Sequence, residues 1–266
     1  VSALRWLWGD RGESVRATLR TGLVLGAALI PIQIVAGDMH GLNTLEHQPA
    51  KVAAMEGHYE TRAGAPLILF GFPDDEAETT RFAVEIPKLG SMILTHEWDG
   101  VVRGLKDFPE DERPKAAIVF WTFRIMVALG CAMIAVGIAG FVLRLRGDLY
   151  DHPLFLRVAR WMGPSGLVAV LAGWITTEVG RQPFVVYGLM RTSEAISPVA
   201  APAVAWSLTL FVLVYFAVFG TGTGFLLRMM DRPAGPTEGE PEGPQRSAGI
   251  TPAPSLSGRS TAPAAG

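Results

Sequence analysis

The chain has 266 residues, of which 49% are hydrophobic and 18% charged, and its mean hydropathy is +0.30. This composition is too apolar for an ordinary soluble domain and is typical of a membrane protein with several spans and sizeable loops. The formal net charge of −2 provides no basic excess that would favour nucleic acid. The single cysteine, Cys131, excludes an intrachain disulfide and any metal site built from a cysteine cluster.

Four apolar runs are long enough to cross about 30 Å of hydrocarbon at roughly 20 residues each. Because a spanning segment must satisfy its own backbone polar groups, each run is predicted to be a helix. Pro31 is expected to kink the first helix. The predicted fold class is all-α, a polytopic membrane helical bundle with a long outer loop. The runs are Thr18–Gly37, Ala117–Leu143, Trp161–Gly180 and Val204–Leu227.

Basic residues near the predicted spans indicate orientation, because cytoplasmic loops carry the excess of Lys and Arg. The loop from Asp38 to Ala116 holds 15 acidic against 8 basic residues, which suits the outer face. Both termini are therefore predicted to lie in the cytoplasm. The arginines predicted to be cytoplasmic are Arg5, Arg11, Arg16, Arg20, Arg144, Arg146, Arg157, Arg160, Arg228 and Arg232.

The domain organisation follows from the same pattern. Residues 1–37 form a cytoplasmic lead-in and the first span, 38–116 an outer loop, and 117–231 the other three spans. Residues 232–266 are rich in Pro, Gly, Ala and Ser without periodicity, which predicts a disordered cytoplasmic tail. The chain starts at Val1 with no recognisable signal peptide, and we expect it to be part of a longer protein.

Ionisable side chains inside a spanning helix are costly and are by default candidates for function. Glu178 lies near the outer end of the third span, four residues after Trp174 and three before Arg181. At this spacing the three side chains share one helix face. They fit either an interfacial salt bridge beside an aromatic residue, or a carboxylate ligand to a metal or haem. In the second case Trp174 would stack on the macrocycle and Arg181 would neutralise a propionate.

Arg124 and Met126 lie in the second span, where Met126 is expected about 13 Å below the outer end at 1.5 Å per residue. Arg124 is shallower and is expected to reach outward. The two side chains are about 200° apart around the helix and so do not share a ligand face. Met126 is either a packing residue or an axial thioether ligand of a haem, and spacing alone leaves both open.

The outer loop contains Lys106 followed by the acidic residues Glu110 and Asp111. A solvated charge run is the default interpretation, and the alternative is a lysine that binds a polar head group with a nearby acid. Four of the five histidines also fall in this loop, and none is predicted within a span at membrane depth. Solvated or capping roles are favoured for His40 and His47. The five are His40, His47, His58, His96 and His152.

Several of these stretches resemble cytochrome bd oxidase subunit I, in the family's order and over about Gly37–Arg232. The resemblance implies a quinol oxidase that reduces oxygen to water with haems b558, b595 and d. It also implies that N-terminal helices carrying further haem ligands are missing here. The matching stretches are Gln48–Glu56, Glu60-Thr61, Phe70–Asp74, Gly104–Lys106, Phe123–Val127, Gly173-Trp174, Glu178 and Gly180–Pro183.

Carried over by motif, the resemblance assigns Met126 as one axial ligand of the haem b558 iron, with Arg124 beside that haem. It assigns Glu178 as the ligand of the haem b595 iron, with Trp174 and Arg181 around the high-spin pair.

In the same resemblance, Lys106 matches the quinol-site lysine of the family's Q loop, and its partner acid is Glu110 or Asp111. The implied partners are the missing N-terminal helices, subunit II, membrane lipid and quinol. The implied location is a bacterial cell membrane, and turnover would build a protonmotive force without pumping.

Two other functions compete with this one. A polytopic ion-coupled transporter or membrane scaffold would use Glu178 and Arg181 as an ion-coupling pair and would hold no haem. A di-haem cytochrome b would need intramembrane histidine pairs, which this sequence does not contain.

Overall fold

Long helices form most of the computed structural model, which describes residues 2–196 and 198–231. Four helical stretches, 13–47, 110–146, 153–181 and 201–229, are long and apolar enough to cross a membrane. This finding confirms the predicted all-α polytopic class. The α-helices in the described residues are α1 (Ser2–Leu7), α2 (Glu13–His47), α3 (Pro49–Glu56), α4 (Leu89–Thr95), α5 (Ala116–Arg146), α6 (Pro153–Trp161), α7 (Ser165–Arg181) and α8 (Ala201–Asp231).

Short strands, which the sequence analysis did not predict, pair in three antiparallel ribbons. The longest ribbon is a hairpin that turns at residues 75–78. The pairs are β1 (Arg62–Ala63) with β4 (Val101–Val102), β2 (Leu67–Asp74) with β3 (Thr79–Ile86), and β5 (Phe184–Val186) with β6 (Met190–Arg191). Two 3₁₀ helices, Leu105–Asp107 and Glu110–Glu112, lie between β4 and α5.

The first spanning helix is longer than the sequence analysis predicted. It continues from Gly37 to His47, so His40 and His47 lie on a helix rather than in a loop. At 1.5 Å per residue α2 is about 52 Å long, well beyond the hydrocarbon thickness. Only the part of a helix that lies in lipid must be apolar. The helical backbone itself needs no apolar side chains and can continue beyond that part. Pro31 lies inside α2 with helix on both sides, and the predicted kink stays a prediction.

The predicted cytoplasmic end is a packed layer of short elements. Here α1 packs against the start of α2 and against α6, and the indole of Trp6 donates to the Tyr150 carbonyl at 2.8 Å. Arg11 and Arg16 stack over the Trp6 ring. The buried residues of this cluster are Ala3, Trp6, Val15, Leu19, Leu149, Phe155 and Leu156.

Small residues bring the spanning helices close together. Gly137 of α5 lies against Ala27 of α2. Between α5 and α7, the Thr176 hydroxyl donates to the Thr122 hydroxyl at 2.8 Å. Small side chains and hydroxyl hydrogen bonds replace the hydrophobic effect as the source of helix association in lipid. Helix α8 belongs to a second unit of the chain. All its described side chains are exposed.

Residues 48–115, between α2 and α5, form what we call the α2–α5 segment. It begins with the short helix α3. The segment is anchored on the first turns of α5 by the buried cluster Ala53, Ala54, Tyr59, Leu105, Ala116 and Val119. The predicted disordered tail, 232–266, and Arg232 lie outside the described residues.

Candidate functional site

The Lys106 turn is held against the chain that follows α3. The Leu105 amide donates to the His58 carbonyl and the Lys106 amide donates to the Tyr59 carbonyl, both at 2.9 Å. Gly104 makes this approach possible, because a Cβ there would lie 2.5 Å from the Tyr59 carbonyl oxygen. Two stretches that the sequence analysis treated separately are therefore one structural unit.

A threonine locks the same turn from the other side. The Thr61 hydroxyl accepts a hydrogen bond from the Gly104 amide at 2.8 Å and donates to the Asp107 carboxylate at 2.6 Å. Since one hydroxyl serves both groups, Thr61 determines how the Gly104–Lys106 stretch leaves β4.

Lys106 borders a polar cavity of about 310 Å³. Its ammonium lies 3.5 Å from the Glu60 carboxylate and 3.7 Å from that of Glu78. Glu78 also pairs with Arg113, and this hydrogen bond, with help from Lys106, lowers the pKa of the Glu78 carboxyl. The cavity is lined by Gly57, His58, Tyr59, Glu60, Arg62, Ile68, Ala77, Glu78, Thr79, Thr80, Glu85 and Lys106.

His58 is the most deeply buried ionisable group of this cavity, with 3% of its surface exposed. Its Nε2 atom has no hydrogen-bond partner among the described residues. Burial, together with the positive charges of Arg62 and Arg124, lowers the pKa of His58 to about 4, against an opposing hydrogen bond to the Pro66 backbone. The ring is therefore neutral at physiological pH.

One of the two acids expected beside Lys106 has a different partner in the structure. Asp111 pairs with Arg191 of β6 at 2.8 Å, and Arg191 also holds Glu112. No ion pair joins Lys106 to Glu110 or Asp111 in the described part of the chain. The 3₁₀ helix at 110–112 faces the β5–β6 ribbon, and only the folded chain brings that ribbon there.

Met126 lies between two spanning helices. The Met126 sulfur lies against Gly173 of α7, where a Cβ would sit 2.8 Å from it. The side chain is half-buried. Its sulfur thus faces the helix that also carries Glu178, a relation that spacing within α5 did not reveal.

Arg124 reaches toward the α2–α5 segment, which is the predicted outer loop, and its side chain is mostly buried there. Its guanidinium donates to the Ile68 carbonyl at 2.6 and 2.8 Å and to the Met55 carbonyl at 2.6 Å. It also pairs with Glu56 at 3.4 Å. Four hydrogen bonds thus join α5 to α3 and β2.

Glu178 and Arg181 form an ion pair at 3.3 Å on α7, as their spacing predicted. Trp174, one turn before Glu178, is 62% exposed. Lys51 of α3 reaches the same end of α7, where its stem packs on Gly180. Burial lowers the pKa of Lys51, and the charge of Arg181 lowers it further. Lys51 belongs to the matching stretch Gln48–Glu56, and its position beside α7 was not predicted from the sequence.

The donor set on this face fits a haem. A half-exposed carboxylate, an exposed indole and an arginine lie along one side of α7, which offers an iron ligand, a flat surface and a propionate partner. The Met126 thioether, the other potential iron ligand, lies between α5 and α7 against Gly173. Each iron would take its remaining ligands from outside the residues described.

These features define a multi-pass helical membrane protein with a polar cavity in the segment between its first two spans and potential haem ligands on its second and third spans. The family of cytochrome bd terminal oxidase subunit I matches residues 1–234, and the chain belongs to that family. Family membership leaves the transporter and scaffold hypothesis without support.

Individual proteins similar to this chain are named as members of the same family. A Bacillus subtilis protein with the provisional name cytochrome bd menaquinol oxidase subunit I is 34% identical over 80% of this chain and 47% of its own length. The cytochrome bd-II ubiquinol oxidase subunit 1 of Escherichia coli is 28% identical over 90% of this chain and 60% of its own. The solved bd oxidase of Geobacillus thermodenitrificans is 32% identical, with a TM-score of 0.75 over 88% of this chain and 53% of the matched chain. The chain spans about half the length of the curated relatives it matches.

Proposed function

We propose that this chain is part of a terminal respiratory oxidase that oxidises a membrane quinol and reduces oxygen to water. The family match over residues 1–234 carries the proposal. The relatives' names, which include both a ubiquinol and a menaquinol oxidase, support quinol as the electron donor. The polar cavity beside Lys106 supports the α2–α5 segment as the place where quinol binds.

In this proposal Lys106 donates a hydrogen bond to a quinol oxygen, and a carboxylate beside it receives the proton released on oxidation. Glu60 and Glu78 are the acids within 4 Å of the Lys106 ammonium. The hydrogen bond from Arg113 lowers the pKa of the Glu78 carboxyl and so keeps it ionised at neutral pH. Asp111 and Glu112 instead anchor the base of the segment through Arg191.

For the haems, we propose Met126 as a ligand of the haem b558 iron, with Arg124 beside it. We propose Glu178 as the ligand of the haem b595 iron, with Trp174 and Arg181 around the pair of b595 and d. Bound haem would supply electron transfer and oxygen reduction. The chain's own residues hold the irons, neutralise propionates and position quinol. Further ligands would come from the part of the relatives' length that this chain does not span.

The proposed setting is a bacterial cell membrane, with lipid and oxidase subunit II as partners and both ends of the chain in the cytoplasm. The arginine-rich cluster around α1, α2 and α6 supports that orientation. The α2–α5 segment then faces outward. Protons from quinol leave on that side, and protons for water come from the cytoplasm. Turnover would build a protonmotive force without pumping.

The ligand assignment is tested by Met126→Leu in the complete oxidase, with Met133→Leu in the same helix as the matched control. Reduced-minus-oxidised spectra should lose the low-spin b signal in the first variant and keep it in the second. An unchanged signal in Met126→Leu would remove Met126 from the iron.

The quinol site is tested by Lys106→Ala, with Lys115→Ala as the matched control because Lys115 is exposed and does not line the cavity. We expect at least a tenfold lower kcat/KM for quinol in Lys106→Ala only. Equal rates in both variants would place quinol elsewhere.

A further inference from the structure

One residue that lines the cavity beside Lys106 has a buried ring nitrogen with no partner among the described residues. His58 is 3% exposed and lines the cavity, yet its Nε2 atom has no partner among the described residues. A buried polar atom without a partner costs free energy, and such atoms are rare in folded proteins. A ligand that donates a hydrogen bond would remove this cost.

The unpaired Nε2 can act as an acceptor because the ring is neutral. Burial is the main cause of the depressed pKa of His58, and a neutral imidazole carries one N–H and one bare ring nitrogen. With the hydrogen on Nδ1, Nε2 offers a lone pair. What fits it is a donor such as a hydroxyl, not an anion.

Backbone hydrogen bonds hold the stretches that carry His58 and Lys106 together. The paired hydrogen bonds from Leu105 and Lys106 to His58 and Tyr59 fix the two side chains at one cavity. The carboxylates lining it are committed to cations: Glu60 to Lys106, Glu78 to Lys106 and Arg113, and Glu85 to Arg62. The His58 Nε2 atom differs from these carboxylates because it has no partner among the described residues.

We propose that His58 Nε2 accepts a hydrogen bond from one hydroxyl of the bound quinol, and that His58 is thus a substrate-binding residue of this site. This inference rests on the proposed quinol oxidase function. His58 selects for the reduced form, because quinol has a hydroxyl hydrogen to donate and quinone has none. At about 310 Å³ the cavity is within the usual size range of small-molecule sites.

The test pairs a ligand change with a residue change in the complete oxidase. The ligands are the monomethyl and dimethyl ethers of ubiquinol-1, used as competitive inhibitors, of which only the first has a hydroxyl hydrogen. In the unaltered enzyme the dimethyl ether should have a Ki about 5- to 10-fold higher, which corresponds to one neutral hydrogen bond. The ratio should fall to about one in His58→Leu and persist in His58→Gln, which keeps an acceptor.

The matched control is His40→Leu, an exposed histidine on α2 outside the cavity, which should keep the ratio of the unaltered enzyme. If His58→Leu does not assemble, as judged by its Soret band, His58→Phe replaces it. A ratio near one in the unaltered enzyme overturns the inference without any variant, as does a ratio in His58→Leu equal to that of the unaltered enzyme.

A second electron donor separates this inference from the proposed function. Tetramethyl-p-phenylenediamine has no hydroxyl, so His58→Leu should oxidise it at the unaltered rate. An unaltered oxidase that oxidises this donor but neither ubiquinol-1 nor a menaquinol would contradict the proposed function. Normal ubiquinol-1 oxidation with no effect of His58 on the inhibitor ratio would contradict only the role of His58.

Discussion

Replacing Arg124 with methionine should loosen the α2–α5 segment from the membrane helices. The Arg124 side chain is 12% exposed and that of Glu56 is 8% exposed, so their ion pair is nearly dry. Arg124 also satisfies the carbonyls of Met55 and Ile68. Methionine keeps the apolar stem but leaves an acid and two carbonyls without their donor.

The size of the effect follows from these contacts. Breaking a buried ion pair costs about 3–5 kcal/mol. We expect the low end, about 3 kcal/mol, because Glu56 can take up a proton: burial raises its pKa, and Arg124 is what lowers it. A loss of about 3 kcal/mol in the free energy of opening makes opening about 150-fold more frequent.

Hydrogen exchange in the complete oxidase measures this opening. The informative amides are those of Leu105 and Lys106, which are bonded inside the segment. Arg81→Met is the control: its pair with Asp74 is exposed, and such pairs contribute at most about 1 kcal/mol. If the exchange rates of these two amides in Arg124→Met lie within threefold of their rates in the unaltered protein, the reasoning is refuted.

The same variant has a pH signature. Without Arg124, folded Glu56 has a pKa raised above the ordinary 4.5, while the opened segment releases the proton near that ordinary value. The stabilisation that protonated Glu56 gives the folded segment is therefore complete below about pH 4.5, and it is lost as pH rises through the pKa of folded Glu56. The segment of Arg124→Met should open more readily as pH increases, after correction for intrinsic exchange rates.

Three further changes test other parts of the segment. Gly104→Ala should lower kcat/KM for quinol at least tenfold by displacing the Lys106 turn, whereas Gly130→Ala, in open space, should not; equal kinetics would contradict the close approach. Ser91→Ala removes a buried hydroxyl that bonds two backbone groups at 2.7 Å, and should cost about 2 kcal/mol of local stability by hydrogen exchange. Because the pKa of His58 falls from 6.5 to about 4 on folding, the segment should lose about 3 kcal/mol as pH drops from 7 to 4. His58→Gln should abolish that loss, and an equal loss in this variant would assign it to other groups.

The sequence alone determined the membrane-spanning plan and the family. A span must be apolar over a length set by the bilayer and must be helical. Both properties depend on consecutive residues and can therefore be predicted from the sequence. Helical periodicity likewise placed Trp174, Glu178 and Arg181 on one face, and the ion pair of the last two confirms that spacing. Helix ends outside lipid were less predictable, since α2 continues past Gly37 without apolar residues.

Only the tertiary structure decided which groups meet. Lys106 faces Glu60 and Glu78, 46 and 28 positions away in sequence, rather than the acids that follow it. Arg124 binds backbone carbonyls of α3 and β2, and the Met126 sulfur lies on a glycine of the neighbouring helix. His58 became a candidate because packing buries it and leaves Nε2 unpaired. Burial and long-range pairing depend on how distant segments pack, and local spacing in one sequence carries no record of that.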